Sequence, residues 1–430
     1  MKNLIRKIKN LILWLLLGLT LSWILSCSPN PNTSNSQMKE VEFWTMQLQP
    51  KFTSYFNNVI TNFESSHPEV KLRWIDVPWN AMESKILTAV SANTSPDLVN
   101  LNPNFASQLA SRDSLLILNS LIKSEIVQQY LPKIWSASSI EEQTFGIPWY
   151  LTTRVTLYNQ DLLTKAGIKA PAKTYQELGE MAKIIKEKTG KYAFFVTFVP
   201  GDSGEVLESL VQMGVTLVDQ NGKASFNTPE GLEAFKYWVN LYQQKLLPPE
   251  VLTQGHSQAI ELYQAGETAF LSSSAEFLNT IATNAPTISN VTSASSQITG
   301  KTGKKNVAVM NWVIPKNTDI PDLALEFGLF VTNGENQLAF AKEANVLPSN
   351  KDAIAKYIKD LEENSEVSAL AQARKVSALQ LESAEVLVPA MKDLNLLQKA
   401  IYENLQQAML GEKTVEQAVK DAAQLWDNRS

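Results

Sequence analysis

The sequence predicts an α/β protein whose folded body is built of two blocks, and three observations carry that expectation. From Lys39 onward, short apolar runs trade places with stretches of helical spacing, the rhythm of a mainly parallel sheet with helices on both faces. That rhythm starts afresh near Val155, so two blocks follow one another. Beyond its first segments the chain has roughly 400 residues, enough for two or three domain-sized units. Its 44% hydrophobic and 19% charged residues are ordinary for a globular chain.

The front of the chain is read apart from the body. Met1 to Asn10 carry Lys2, Arg6, Lys7 and Lys9 and no acid, and Leu11 to Leu25 (LILWLLLGLTLSWIL) are apolar almost without a break. The run falls short of the roughly 20 residues of a membrane span and fits the apolar region of a secretory leader, residues 1–26. It ends at Ile24-Leu25-Ser26-Cys27, which resembles the bacterial lipobox. The resemblance implies that Cys27 takes a diacylglyceryl group, that the leader is cut before it, and that the new N-terminus is acylated. More than one acyl chain matters, since one alone gives marginal, reversible membrane binding. The alternative is an uncleaved N-terminal anchor; either way the body lies outside the cytoplasm. Residues 27–38, largely SPNPNTSNSQ, are polar and coreless and read as a flexible tether.

Cys27 is the only cysteine, so an internal disulfide is ruled out and stability rests on the core. Of the 38 Lys and Arg, four lie in the first ten residues; the remaining 34 against 43 Asp and Glu give a net charge of −9. That balance does not suggest a nucleic-acid partner, which would ask for a basic patch.

In the first block Val41 to Trp44 reads as a strand, Ser54 to Glu64 as a helix with Phe56, Val59, Ile60 and Phe63 on one face, and Val70 to Val77 as an alternating strand. A helix over Ala81 to Ala92 and a strand over Pro96 to Leu101 complete it. The second block opens with Val155 to Tyr158 and continues through a helix from Thr174 to Thr189 and a strand from Ala193 to Phe198. Thr174 and Glu177 form a capping-box pair. Ile288 to Lys305 is rich in Ser, Thr and Gly and reads as an exposed loop; from Asp322 on the chain reads as mostly helical.

Several segments together resemble the family 1 extracellular solute-binding proteins of ABC importers, the group of maltose- and glycerol-phosphate-binding proteins. Phe145-Gly146-Ile147-Pro148-Trp149-Tyr150 is followed by Leu157-Tyr158-Asn159-Gln160-Asp161-Leu162-Leu163, Ala166-Gly167-Ile168, and Pro171 with Thr174-Tyr175-Gln176-Glu177-Leu178. Pro96-Asp97-Leu98-Val99, Phe226 to Gly231, Tyr263 to Phe270, Ile314-Pro315-Lys316 and Gly411 to Ala418 add further matches in family order. Each motif is loose alone; their joint order over nearly the whole body is specific. The resemblance implies a two-lobed periplasmic-binding-protein fold, two α/β lobes joined by a multi-crossover hinge with ligand in the cleft. Lobe I would comprise 39–151 plus 313–366, and lobe II 152–312 plus 367–430. It further implies capture of a sugar or sugar-like solute by a monomer that hands it to permease subunits served by a separate ATPase, with no cofactor and no metal. Glycerol phosphate or a polyol remain open in the same fold.

Sugars present an apolar ring face and a rim of hydroxyls, so a site wants aromatic platforms and a few carboxylates, amides or Arg. Ten Trp occur, two of them in the leader. Trp44 ends the first strand and is either a platform or a core plug; Gln47 follows it in the next loop. Trp79 and Asn102 sit just past the second and third strands. Trp149 and Tyr150 lie at the hinge approach, and Arg154 beyond them either binds a hydroxyl or makes a salt bridge. Asp202 follows the predicted strand to Phe198, Glu276 and Phe277 follow Thr268 to Ser273, and Asn311 with Trp312 precede Ile314-Pro315-Lys316. Glu276 falls where an ungapped alignment puts Trp in maltose-binding protein, which argues against a maltodextrin and for a smaller or more polar solute.

Enzyme readings are weaker. Gly201-Asp202-Ser203-Gly204 spells a serine-protease-like motif, yet a Ser nucleophile needs a His base, and His67 and His256, the two His, lack a recognisable catalytic setting. No His/Cys zinc spacing and no phosphate-binding G-x-x-x-x-G-K loop occurs. A glycosidase-like carboxylate pair and a ligand-sensing lipoprotein remain as other classes.

Overall fold

The computed structural model describes residues 38–429 except 365 and 367; the leader, Cys27 and nearly all of the tether lie outside the described residues. Twelve strands are present among the described residues: β1 Lys39–Met46, β2 Val70–Val77, β3 Leu98–Leu101, β4 Ser139–Ile140, β5 Gln143–Thr144, β6 Gly146–Thr153, β7 Val155–Asn159, β8 Phe270–Ser273, β9 Thr292–Ser296, β10 Lys305–Val313, β11 Leu347–Pro348 and β12 Ala384–Glu385.

The first unit is a seven-stranded sheet ordered β11-β6-β10-β3-β1-β2, with β12 added to β10. β1 runs parallel to β2 and β3, and β10 lies antiparallel between β3 and β6. Its central strands are buried on both faces, which explains their nearly unbroken apolar runs. On one face Val41, Phe43, Leu98, Ile147 and Trp149 pack beneath the helices Thr53–Ser66, Pro321–Val331, Gly334–Ala344 and Lys351–Glu363. On the other, Trp44, Met46, Val99 and Leu101 meet Met82, Ile86, Ala106 and Leu109 from the helices Trp79–Ser91 and Pro103–Ser111.

The second unit holds a small antiparallel sheet, β8-β7-β9, wrapped by helices that include Tyr175–Thr189, Pro229–Gln243, Leu394–Met409 and Val415–Asp427. Thr174 accepts a hydrogen bond from the Glu177 backbone N–H at 3.1 Å, while the Glu177 carboxylate reaches back to the Lys173 N–H at 2.6 Å. The capping pair therefore forms with its return arm one residue earlier than expected.

Four sequence expectations change. The expected mainly parallel sheet is mixed, because β10 returns antiparallel between β3 and β6 and β11 lies antiparallel to β6, and the second unit's sheet is antiparallel throughout. Ala193 to Phe198 is buried but joins no ladder: Tyr192 bridges to Thr268, the Ala193 carbonyl accepts from the Phe270 N–H at the start of β8, and farther on the Phe198 N–H donates to the Val251 carbonyl instead of to a strand. The Ser/Thr-rich stretch expected as an exposed loop contains β9, with Thr292, Ser293 and Ala294 buried. Its small side chains allow the helix Ala369–Gln380 to lie close, and the Ser293 hydroxyl donates to Gln372 at 2.7 Å. Finally, β10 belongs whole to the seven-stranded sheet, so a lobe boundary at 312 falls inside a strand. A ladder fixes its whole length to its neighbours, and the chain leaves the second unit before Lys305.

Candidate functional site

The two units face each other across the crossover at Thr153, Arg154 and Val155, where β6 ends in one sheet and β7 begins in the other. Near it, Thr152, Asn306 and Ala308 of the first unit and Arg154, Glu208, His256, Ser273, Ser274 and Phe277 line a cavity of about 130 Å³.

Arg154 is held within the second unit. Its Nε donates to Glu208 Oε2 at 2.8 Å and an Nη to Oε1 at 3.4 Å, with both side chains largely buried. Burial would lower the guanidinium's pKa, but the Glu208 and Glu205 carboxylates more than offset it and hold it charged. Glu208 lies on the helix Glu205–Gln212 beside buried Val206, Leu207 and Leu210. His256 opens the helix His256–Gln264, and burial together with Arg154 pushes its imidazole down to about 4.

Glu276 directly precedes Phe277, which lines the cavity. Burial pushes its carboxyl up to about 7, while Ser274 and the Lys51 ammonium of the first unit pull the other way. Burial and, next, Glu276 raise the Tyr150 hydroxyl.

The other sequence-predicted residues scatter. Trp149 and Trp312 are fully buried, 5.0 Å apart between ring centroids, in the core beneath the helices. Trp44 is a core residue on the opposite face, its indole N–H donating to Glu42 at 2.5 Å and Lys85 lying over its ring. Asn311 is buried at an irregularity in β10, where it accepts from the Ser138 hydroxyl at 2.5 Å. These four side chains are not open to a solute, because alternating positions of strands buried on both faces point into one core or the other.

Gln47 and Trp79 stay together at the surface: the Gln47 side-chain Oε1 accepts from the Trp79 backbone N–H at 3.1 Å, and Trp79 is 46% exposed. Asn102 caps the helix Pro103–Ser111, accepting from the Phe105 N–H at 2.8 Å. Asp202 accepts from the His256 N–H at 2.7 Å and so caps its helix. A Cβ at Gly255 would overlap the Asp202 carboxylate, which would have to swing away from the helix end. Ser203, the residue of the protease-like motif, accepts from the Glu205 N–H at 3.3 Å. Sequence reasoning missed Glu208 and Lys51. For Glu208 a signal existed: an acid inside the apolar run VLESLV of an amphipathic helix needs a buried partner.

The family model for bacterial extracellular solute-binding proteins matches residues 49–338. This chain belongs to that family. A candidate oligosaccharide periplasmic-binding protein from Synechococcus sp. MITs9220, solved in complex with zinc, is 46% identical, with 90% of this chain and 98% of that one covered and a TM-score of 0.86. A candidate binding protein of Brucella abortus is 26% identical over 74% of this chain and 78% of its own. The diacetylchitobiose binding protein of Streptomyces coelicolor is 26% identical over 68% and 69%. Among the described residues no group of three or more His, Cys, Asp or Glu is arranged to hold a metal ion, and no helix is long and apolar enough to cross a membrane.

Proposed function

We propose that this solute-binding protein captures a sugar or sugar-like solute between its two units and delivers it to the permease of an ABC importer. The observation that carries the reading is the cavity at the crossover, lined by Thr152, Asn306 and Ala308 of one unit and by His256, Ser274 and Phe277 of the other. A solute touching both walls binds the closed arrangement better than the open one and shifts the population toward it. The oligosaccharide and diacetylchitobiose descriptions of the relatives support a carbohydrate. Tyr150, Glu276, Phe277, Arg154 and the surface pair Gln47 and Trp79 are the candidate ligand-facing residues. The lipobox-like Ile24-Leu25-Ser26-Cys27 supports anchoring of the body to a membrane surface through Cys27.

Calorimetric titration with a panel of oligosaccharides, monosaccharides and polyols tests capture. The expected result is a stoichiometric complex with a smaller radius of gyration in solution scattering. Conversion of the titrant into product, with an unchanged radius, would favour an enzyme. Mass spectrometry of the mature protein tests the anchor: an unmodified Cys27 would end that part of the proposal.

A further inference from the structure

The cavity beside the crossover gathers three features that ordinarily attract anions. Arg154 is one. The others are the N-termini of the helices Glu205–Gln212 and His256–Gln264, where unpaired backbone N–H groups carry partial positive charge. Each already has a carboxylate of the protein against it. Glu208 takes two hydrogen bonds from Arg154; Glu205 and Glu208 both lie in the first turn of their helix; Asp202 accepts from the first N–H of the His256 helix. His256 adds no charge near neutral pH, since its pKa lies at about 4.

One cation therefore faces two glutamates, and both helix ends are answered. Yet polar groups in the region lack partners: the Ser273 hydroxyl and one oxygen of Glu205 are buried with no hydrogen bond. A polar cavity with unmet groups favours a hydroxylated occupant over an apolar one. At roughly 30 Å³ for each water in the liquid, the space of about 130 Å³ suits one small hydroxyl-bearing end of a ligand.

We infer that this cavity is the inner end of the solute site and selects uncharged polyhydroxylated ligands, with Glu208 and Asp202 acting as positioning residues that exclude sugar phosphates and other anions. The inference rests on the sugar-capture reading and adds the cause of its selectivity. Glu208 keeps the guanidinium from reaching a phosphate; Asp202 occupies the helix end that would otherwise receive one. An anion entering would meet the Glu208 carboxylate in a poorly solvated space, where like charges repel far more than in water, while the exposed Asp202 adds a weaker, better-screened repulsion.

The test compares binding of mannitol, arabinotriose, inorganic phosphate and glycerol 3-phosphate to full-length protein in detergent, for the wild type, Glu208→Gln and Asp202→Asn. The wild type should bind a neutral probe and neither anion. Glu208→Gln should gain affinity for both anions by about tenfold or more, the worth of one charge-assisted hydrogen bond, with a smaller change for the neutral probe. Asp202 is exposed, so Asp202→Asn should fold normally and gain anion affinity to a lesser degree; it carries the test if Glu208→Gln does not fold. Wild-type binding of either anion more tightly than every neutral probe would overturn the inference, as would unchanged anion affinity in the folded variants. If wild type binds no neutral probe and no anion, sugar capture itself fails. Neutral binding with no change of selectivity in the variants sinks the inference alone.

Discussion

The first unit spends its aromatic side chains on packing, whereas the second sets buried charge beside the gap. In the first, Phe43, Phe56, Trp149, Trp312 and Phe340 form one continuous set of ring contacts under the helices. In the second, Arg154, Glu205, Glu208 and His256 cluster at the crossover, and Glu276 directly precedes Phe277 of the cavity lining. The contrast teaches that aromatic residues near strand ends are weak guides to a sugar site when the strands are buried on both faces. An acid or base embedded in an apolar helical run is the better guide, because burial of charge costs several kcal/mol unless a partner meets it.

The largest expected effect tests the packing side. Trp149→Ala empties a fully buried site among Phe56, Tyr150, Trp312 and Phe340, and a buried Trp or Phe cut to Ala costs about 3–5 kcal/mol. Chemical denaturation should register a loss of that size, while the folded fraction keeps wild-type affinity for its ligand. A variant of normal stability that binds poorly would instead make Trp149 a ligand platform and erase the contrast.

Much of the architecture was legible in the sequence. β2 coincides with the predicted strand Val70 to Val77, and the helix Thr53–Ser66 shows its expected apolar face in Phe56, Val59 and Phe63. The family could be read from ordered short motifs and is confirmed by the match over residues 49–338. What resisted reading has one physical cause: tertiary pairing decides what local pattern leaves open. Ala193 to Phe198 has the composition of a strand but finds no ladder partner. The Ser/Thr stretch at β9 looks loop-like because small residues there admit a helix at close range. In the site, sequence could put Trp79 and Glu276 near strand ends and Tyr150 at the hinge approach, but not tell which face each side chain takes or that Arg154 is already paired.

The charged side can be examined through pH, with two substitutions of opposite sign. Glu276 has its pKa raised to about 7 from an ordinary 4.5, so the folded protein holds a proton there that the unfolded chain has released. Its contribution to stability is complete below the unfolded pKa and is lost as pH rises through about 7. His256 has its pKa lowered to about 4 from 6.5, so its contribution is complete above 6.5 and is lost as pH falls toward 4. The melting temperature of Glu276→Gln relative to wild type should therefore climb between pH 5 and pH 8, and that of His256→Gln should climb as pH drops from 7 to 4.5. Shifts on the order of a few degrees are expected. Flat or parallel differences would mean that Glu276 and His256 are solvated, leaving Arg154 and Glu208 as the buried charges beside the gap.

The smallest expected effect on stability, and the sharpest on binding, concerns Trp79. It begins the helix Trp79–Ser91 at the carboxyl end of β2, tied to Gln47 only through its backbone N–H, with its indole 46% exposed. The body's other Trp singled out as candidates, Trp44, Trp149 and Trp312, are buried, so Trp79 is the one among them able to stack on a solute without unfolding. Truncating an exposed side chain shifts stability by no more than about 0.5 kcal/mol. Losing a stacked ring costs roughly 0.5–1.5 kcal/mol of binding beyond area burial, a change of about two- to tenfold. Trp79→Ala should thus melt with the wild type and bind several-fold more weakly. Fluorescence adds a second reading: stacking removes the indole from water, so ligand should shift wild-type emission to the blue and leave Trp79→Phe without that shift. If affinity stays within twofold and the spectral shift survives in Trp79→Phe, the ligand does not reach Trp79, and recognition rests on Tyr150 and the charged wall of the second unit.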